Sequence, residues 1–284
     1  MDELAVQRIR LERDACVRKA NDLIQKSRFD LSTQQQKIIL YLISKITPFD
    51  DDFEEYQFTI KDFCRVCGIT LSGTNYKQLK EQIKEIADKS IWVYLKPGVS
   101  SLLRWITEPE IDENTGIIKI CLDKKMKPFL LKLKSNYTQY ELIYTLKFRS
   151  KYSIRLYELV KSIHFNESQP YTKRYSLDEI RLLLGAETYT NYLHLRQRVI
   201  EPAIDEINEY SDKSVSWKPI KNGRAIAYIE FTIDTKDDMK KSFVRQLVED
   251  ELDLNQLSLF DIDTNDMKKS IEDTRKTIEI LGGK

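Results

Sequence analysis

Asn191, His194 and Arg198 stand three and four residues apart within TNYLHLRQRVIEPAIDEI, residues 190–207. At helical spacing they share one face, opposite Leu195, Val199 and Ala203. An amide, an imidazole and a guanidinium on the first turns of an exposed helix can donate hydrogen bonds to base edges in a DNA major groove. Arg198 carries the planar fork that suits guanine, and a bidentate contact there is worth ~1–3 kcal/mol of discrimination. Arg196 flanks the row. From Glu201 onward, Asp205, Glu206 and Glu209 turn the exposed side acidic, so the pattern implies insertion by the N-terminal turns alone.

Two more groups of donors accompany this row. Lys218, Lys221, Asn222 and Arg224 surround an Asn-Gly turn between SVSWKPI and AIAYIEFTI, a hairpin signal whose basic tip suits phosphate or minor-groove contact. Lys147, Arg149, Lys151 and Arg155 form the third group, in a stretch whose one acid before Lys161 is Glu158. Arg155 has two readings: a phosphate contact, or an internal pair with Glu158 or a neighbouring helix.

The remaining residue types argue against catalysis. His164 and His194, the two histidines of the chain, lie far apart and are unpaired, so neither a His-based constellation nor the His pair of a relaxase can be assembled. Asp50-Asp51-Asp52 reads as a solvated turn rather than a magnesium site. Cys64 and Cys67 are a lone C-x-x-C with no second pair and no histidine nearby, and they fall on the apolar side of a short helix, which favours buried thiols over zinc ligands. With 8 glycines, the chain shows neither G-x-x-x-x-G-K-[ST] nor G-x-G-x-x-G. No cofactor and no metal are expected.

A composition of 41% hydrophobic and 32% charged residues is that of a globular protein with a charged surface. The N-terminus lacks an apolar segment, and no run approaches the ~18 residues that span a bilayer. These features imply a soluble cytoplasmic protein with no membrane partner. The net charge of +1 hides an asymmetry. Residues 234–284 hold 13 acids against 9 bases, so the rest of the chain is basic, compatible with a polyanionic partner.

The elements that must position the donors occur twice. YQFTIKDFCRVCGI (56–69) and TNYKQLKEQIKEI (74–86) parallel KRYSLDEIRLLLGA (173–186) and the stretch from Thr190. Thr59 lies over Ser176, Gly68 over Gly185 and Asn75 over Asn191, at nearly constant offset, which identifies a duplicated unit. Thr59 and Ser176 are N-cap residues, and Gly68 and Gly185 suit the positive φ that ends a helix. Tyr76, Leu79, Ile83 and Ile86 repeat at helical spacing, as do Tyr192, Leu195, Val199, Ala203 and Ile207. Pro202 should kink the second of these helices or confine its regular part to the first half. Segments 32–46 and 140–164 supply a preceding helix to each copy. Hairpins follow each copy, SIWVYL with LLRWIT across KPGVSS in the first, and IIKICL (117–122) is expected to join that first sheet. A helix over 123–133 leads into the second copy.

The fold class is therefore α+β, two tandem winged helices related by internal duplication, plus a charged C-terminal tail. The expected domains are 1–138, with a leading helix, 139–235, and an acidic, partly helical or flexible 236–284. In the first copy Lys77 and Lys80 are the candidate phosphate contacts on a helix otherwise interleaved with acids. Trp92, Tyr94 and Trp105 form either a dimer face or core.

The chain resembles the plasmid replication initiator (Rep) proteins that bind iterons. The likeness covers roughly residues 18–233 and rests on KANDLIQKSRFDLSTQQQKIILYLI (19–43), LKFRSKYSIRLYELVKS (146–162) and YLHLRQRVIEPAIDEIN (192–208). It implies two winged helices, binding to directly repeated duplex DNA at a replication origin, a monomer that initiates, a dimer that autoregulates, and host partners such as a helicase or its loader. In the tail, Gln256, Leu257, Ser258, Leu259 and Phe260 resemble the short peptide with which bacterial proteins dock on the sliding clamp. The alternative is an amphipathic turn packed on the body. A winged-helix repressor without an initiation role is the competing functional reading.

Overall fold

The structure, a computed structural model, describes residues 3–69, 72–257 and 265–282. The first half runs α1 (Glu3–Asp14), β1 (Cys16–Ala20), α2 (Asn21–Gln25), β2 (Ser27–Arg28), α3 (Thr33–Ser44), β3 (Glu55–Thr59), α4 (Ile60–Val66), α5 (Gly73–Asp88), β4 (Ser90–Lys96), β5 (Val99–Arg104), β6 (Ile106–Asp112) and β7 (Ile117–Leu122). Next come α6 (Lys127–Leu130), β8 (Tyr137–Glu141), α7 (Ile143–Leu146), α8 (Lys151–Ile163), β9 (Tyr171–Ser176), α9 (Leu177–Leu184) and α10 (Tyr192–Leu195). The described chain closes with α11 (Glu201–Tyr210), β10 (Lys213–Asn222), β11 (Ala225–Thr235), α12 (Asp238–Leu257) and α13 (Asn265–Gly282).

Each unit is a winged helix: a first helix (α3 or α8), a strand, a short helix (α4 or α9), a reading helix (α5, or α10 with α11) and a wing. The local signals act as their chemistry demands. Ser32 and Ser176 each close a reciprocal capping box, with Gln35 and Glu179, and Thr59 accepts the Asp62 N–H. Gly68 and Gly185 adopt φ +61° and +68° just past their short helices. The sheets have matching strand orders, β3-β7-β6 and β9-β11-β10.

That match corrects the first wing. The hairpin β4–β5, made of SIWVYL and the first half of LLRWIT, is an insertion that forms its own sheet with β2, while Ile106 and Thr107 already belong to β6. The true counterpart of β10–β11 is β6–β7, because β7 pairs with β3 from Thr59↔Ile117 to Glu55↔Cys121 as β11 pairs with β9. IIKICL is thus the centre of a different sheet from the one expected. The stretch 140–164 also divides: Ser150 caps the Tyr152 N–H and starts α8 afresh after the short α7. The helix expected over 123–133 shortens to a 3₁₀ turn, Lys124–Met126, followed by α6.

The two units share one hydrophobic core. Residue 138/139, the expected boundary, falls inside β8, which pairs with β1 from Ala20↔Tyr137 to Cys16↔Glu141. Buried Lys19 of β1 bonds Glu158 of α8 at 2.6 Å, and Tyr140 donates to the same carboxylate. Lys37 of α3 donates to the Leu146 carbonyl at 2.6 Å, and burial pulls its ammonium down to about 8. Cys64 and Cys67 are buried thiols, pushed by burial to about 11 and about 12, so neither is a ready thiolate. Trp105 is core, 1% exposed and edge-on to Phe29, whereas Trp92 and Tyr94 point outward.

Helix α12 packs into the body. Val244, Leu247, Val248 and Leu252 of α12 are at most 1% exposed. Arg13 of α1 bonds Glu249 and Asp253 of α12, while Arg245 of α12 returns to Asp14 and Glu141. Glu251 of α12 holds Lys147 of the second unit at 2.8 Å and Arg275 of α13, which also bonds Glu209 of α11. Among the described residues no helix is long and apolar enough to cross a membrane.

Candidate nucleic-acid interface

The second reading helix is built in three pieces. α10 gives way to a π-turn, Arg196–Ile200, and then to α11. Pro202 has no N–H to give and its ring crowds the carbonyl four residues back, so a wider turn just before it removes both conflicts. The helix therefore continues to Tyr210 instead of losing regularity at the proline. The π-turn also serves the core. Leu195, Val199, Ala203 and Ile207 are all fully buried although each step of four overshoots a 3.6-residue turn by about 40°. An i→i+5 turn takes back part of that drift.

The face opposite this buried row is the exposed one. His194, Gln197 and Arg198 are exposed, and no partner holds the Arg198 guanidinium among the described residues. Asn191 is exposed but already employed: its Oδ1 accepts the Leu193 N–H at 2.7 Å and caps α10, leaving its amide hydrogens to donate outward. Arg196 is turned back, its Nε on Glu201 at 2.7 Å and its plane 5.9 Å from the Trp217 ring.

The acids expected to repel DNA have internal duties. Glu201 holds Arg196, Glu209 bonds Arg275, and Glu206 accepts the Arg149 and Ser150 N–H groups at the start of α8. Among the four, Asp205 is exposed.

At the wing, Lys221, Asn222 and Arg224 are exposed around the tip, where the two-residue turn is Gly223-Arg224, with Gly223 at φ +64°. The turn thus falls one residue later than an Asn-Gly turn would. Lys218 shares Glu230 with Arg174, at 2.8 and 2.7 Å, in a row across the outer face of the sheet. Arg174 thus joins the basic side chains of this face, beyond those expected from the sequence. Its signal was the basic pair Lys173-Arg174 just before the Ser176 cap.

The third basic group dissolves. Arg155 is buried, donating to the Leu183 carbonyl at 2.6 Å and the Ser27 carbonyl at 3.3 Å, with its plane 4.3 Å from the Phe29 ring. Burial pulls its guanidinium down to about 10. It is an internal strut between the units, with carbonyls rather than Glu158 as its direct partners, and no phosphate can reach it. Lys147 is taken by Glu251, and Lys151 bonds Asp30 at 2.7 Å. Arg149 keeps an exposed side chain with no ion pair among the described residues.

In the first unit α5 presents Lys77 to solvent, while Lys80 is bonded to Glu113 at the tip of the acidic β6–β7 wing. Gln82 and Glu85 are spent on Ser32 and Gln35 of α3. Of the tail peptide, Gln256 and Leu257 end α12, and Ser258, Leu259 and Phe260 lie outside the described residues.

Two winged helices, one presenting donors without a partner among the described residues on its long helix and on a basic wing, define a tandem winged-helix nucleic-acid-binding protein. The sequence family described as "Initiator Replication protein, WH1" matches residues 16–161, and "Initiator Rep protein, WH2" matches 176–233; the chain belongs to this replication-initiator family. A replication initiation protein of Escherichia coli is 24% identical over 245 residues, covering 84% of this chain and 74% of the relative. An uncharacterized 27.6 kDa protein of Escherichia coli is 22% identical, covering 74% and 89%. Among solved structures, the Pi initiator protein in complex with iteron DNA superposes with a TM-score of 0.65 at 18% identity, covering 80% of this chain and 99% of that one, a likeness of fold.

Proposed function

We propose that the chain initiates plasmid replication by binding directly repeated duplex sites at an origin. The exposed side of α10 and its π-turn reads bases in one major groove, and α5 enters the next, about one helical turn away. The observation that carries this reading is the pairing of His194 and Arg198, exposed on a helix whose other side is fully buried, with the exposed wing-tip cations Lys221 and Arg224, which have no ion pair among the described residues. Asn191 and Arg149 add polar and phosphate contacts, and Lys218 and Arg196 reach DNA by exchanging a carboxylate for a phosphate. Lys77 supplies the first unit's backbone contact, and Lys80 follows if it leaves Glu113. The family membership and the iteron complex of the similar Pi initiator support the assignment.

In this reading residues 1–138 and 139–235 are the two gripping modules and the protein acts by binding, without catalysis, in the bacterial cytoplasm. Trp92, Tyr94 and Leu102, each 43–49% exposed, form an outward apolar row on the β4–β5 sheet that suits a self-association face and a monomer–dimer equilibrium. The dimer autoregulates and the monomer initiates. Gln256–Phe260 serve as a sliding-clamp peptide, and a helicase or its loader is the further host partner.

Footprinting on DNA flanking the gene tests the reading. Protection of direct repeats spaced by whole helical turns is expected, and scattered or absent protection counts against it. Arg198→Ala should erase preference among sequences, whereas Lys221→Ala should weaken binding to all of them and lower its salt slope by about one. Equal loss from both changes would undo the division of roles.

A further inference from the structure

Between the outer edge of β5 and the segment 124–136 lies a groove of about 1120 Å³. Three features of it point to one kind of occupant. First, β5 ends its sheet, in the order β2-β4-β5, and among the described residues its ladder bonds run to β4 alone. Alternate N–H and C=O groups along Val99–Arg104 therefore face away from β4 without a strand partner, with the turn Lys124–Met126 packed beside the strand and the Asp123 N–H on the Trp105 carbonyl closing its far end. Second, the groove has aliphatic walls, with Leu95, Leu102 and Leu133 among them, and Leu95 and Leu102 are 38% and 48% exposed. Third, its rim carries Lys124, Lys125, Lys127, Lys132 and Lys134.

Carboxylates already sit on part of that rim. Asp52 bonds Lys127 at 2.6 Å and Asp51 bonds Lys132, both from the exposed acidic loop of the same chain. Asp22, also at the groove, is held by Lys26 at 2.8 Å. Lys124, Lys125 and Lys134 are exposed and carry no ion pair among the described residues, so three cations without a direct carboxylate partner stand beside an apolar wall and a strand edge.

We propose that this groove docks an acidic, leucine-bearing segment of a partner protein, taken up in extended form along β5. An extended peptide alternates its side chains between two faces. A segment with acids on one face and leucines on the other would place carboxylates on the lysines and apolar groups on Leu95 and Leu133, while its backbone completes the β5 ladder. A nucleic-acid strand would answer the lysines but offers nothing to the strand edge or the leucine wall.

The test uses the full chain and a fluorescein-labelled synthetic 12-residue peptide alternating aspartate and leucine. Anisotropy should show saturable binding at protein concentrations where sedimentation reports monomer. The triple variant Lys124→Glu, Lys125→Glu, Lys134→Glu should weaken the probe at least tenfold, and Leu95→Ser with Leu133→Ser should do likewise. Both variants should keep the wild-type far-ultraviolet circular dichroism and unchanged affinity for origin duplex. A probe with serine in place of leucine that binds equally well would overturn the proposal as mere ionic adsorption. Displacement of the probe by an equal concentration of a single-stranded oligonucleotide would overturn it in favour of a nucleic-acid surface. Loss of probe binding in step with self-association would overturn it in favour of a second copy of the chain.

Discussion

Whether a basic side chain in this protein meets a partner outside depends on whether a carbonyl or carboxylate of the chain reaches it first. Arg198 and Arg155 are both arginines on helices rich in bases, yet one is exposed and the other buried under Phe29. Arg155→Ala should cost about 2–4 kcal/mol, since two carbonyls lose a charged donor and the Phe29 ring loses its cation. Urea unfolding should show that loss while the salt slope of duplex binding by the folded variant stays at the wild-type value. A slope lower by one would restore a phosphate role. Glu167 gives a second residue-scale case. Burial pushes its carboxyl up, but Lys213 at 2.8 Å and Lys161 at 3.0 Å outweigh this and bring it down to about 2. A carboxyl held below its unfolded value of 4.5 stabilises the fold above that pH and loses the contribution as pH falls towards 2. Lys213 is wholly buried, so the loss leaves an ammonium facing His164 and Thr235 with one fewer counter-charge. Melting curves of wild type and Glu167→Gln should differ clearly at pH 6 and converge as pH drops to about 2. Parallel curves across that range would show that the carboxylate contributes nothing.

At the scale of elements, the reading helix shows how a breaker becomes a spacer. Pro202 would interrupt a regular helix, but a π-turn placed before it keeps Leu195, Val199 and Ala203 in one buried row and His194 and Arg198 outside. Two glycines offer a quantitative comparison. Gly68 and Gly185 both adopt left-handed φ, so alanine at either costs about 1–2 kcal/mol. At Gly185 an added Cβ would meet only the Phe29 carbonyl at 3.4 Å. At Gly68 it would meet Leu252 of α12 at 2.5 Å from Cδ2 and 3.1 Å from Cα, so the helix itself must shift. Gly68→Ala should therefore be the more destabilising, by about 1–3 kcal/mol beyond Gly185→Ala, in urea or thermal unfolding. Equal costs would mean that α12 yields there without strain. These caps and periodic rows were legible in the sequence because they depend on neighbours within a turn or two. The wing of the first unit was not. A Pro-Gly turn between two alternating stretches is a strong local hairpin signal wherever it lies, and nothing local says that β7, rather than β5, pairs with β3. The fates of Arg155, Lys147 and Lys80 were hidden for the same reason: their partners Leu183, Glu251 and Glu113 are 28 to 104 residues away.

At the scale of the whole molecule, the two repeated units and helices α1, α12 and α13 pack as one body. The family-matched spans begin at residue 16 and end at 233, so α1, α12 and α13 lie beyond them. Those three helices nonetheless join the ends of the chain and grip both units. Arg13, 1% exposed, reaches from α1 to Glu249 and Asp253 and also donates to the Val66 and Arg65 carbonyls of the first unit. Lys147 and Arg275 carry the same α12 to the second unit. Removing one partner of a buried pair leaves the other charge stranded, so Arg13→Ala should cost about 3–5 kcal/mol. Arg13→Met with Glu249→Met should cost less, because the more buried carboxylate leaves with the arginine and the Asp253 carboxylate left behind is 28% exposed. The shared core, the β1–β8 ribbon and the Lys19–Glu158 pair still bind the units to each other in either variant. Unfolding should therefore remain a single transition, at a lower midpoint, with calorimetric and van 't Hoff enthalpies in agreement. Two resolved transitions in the Arg13→Ala protein would mean that the winged helices are independent domains held together by the terminal helices alone. In that case the spacing of their reading helices on DNA would be set by α12 and not by the core.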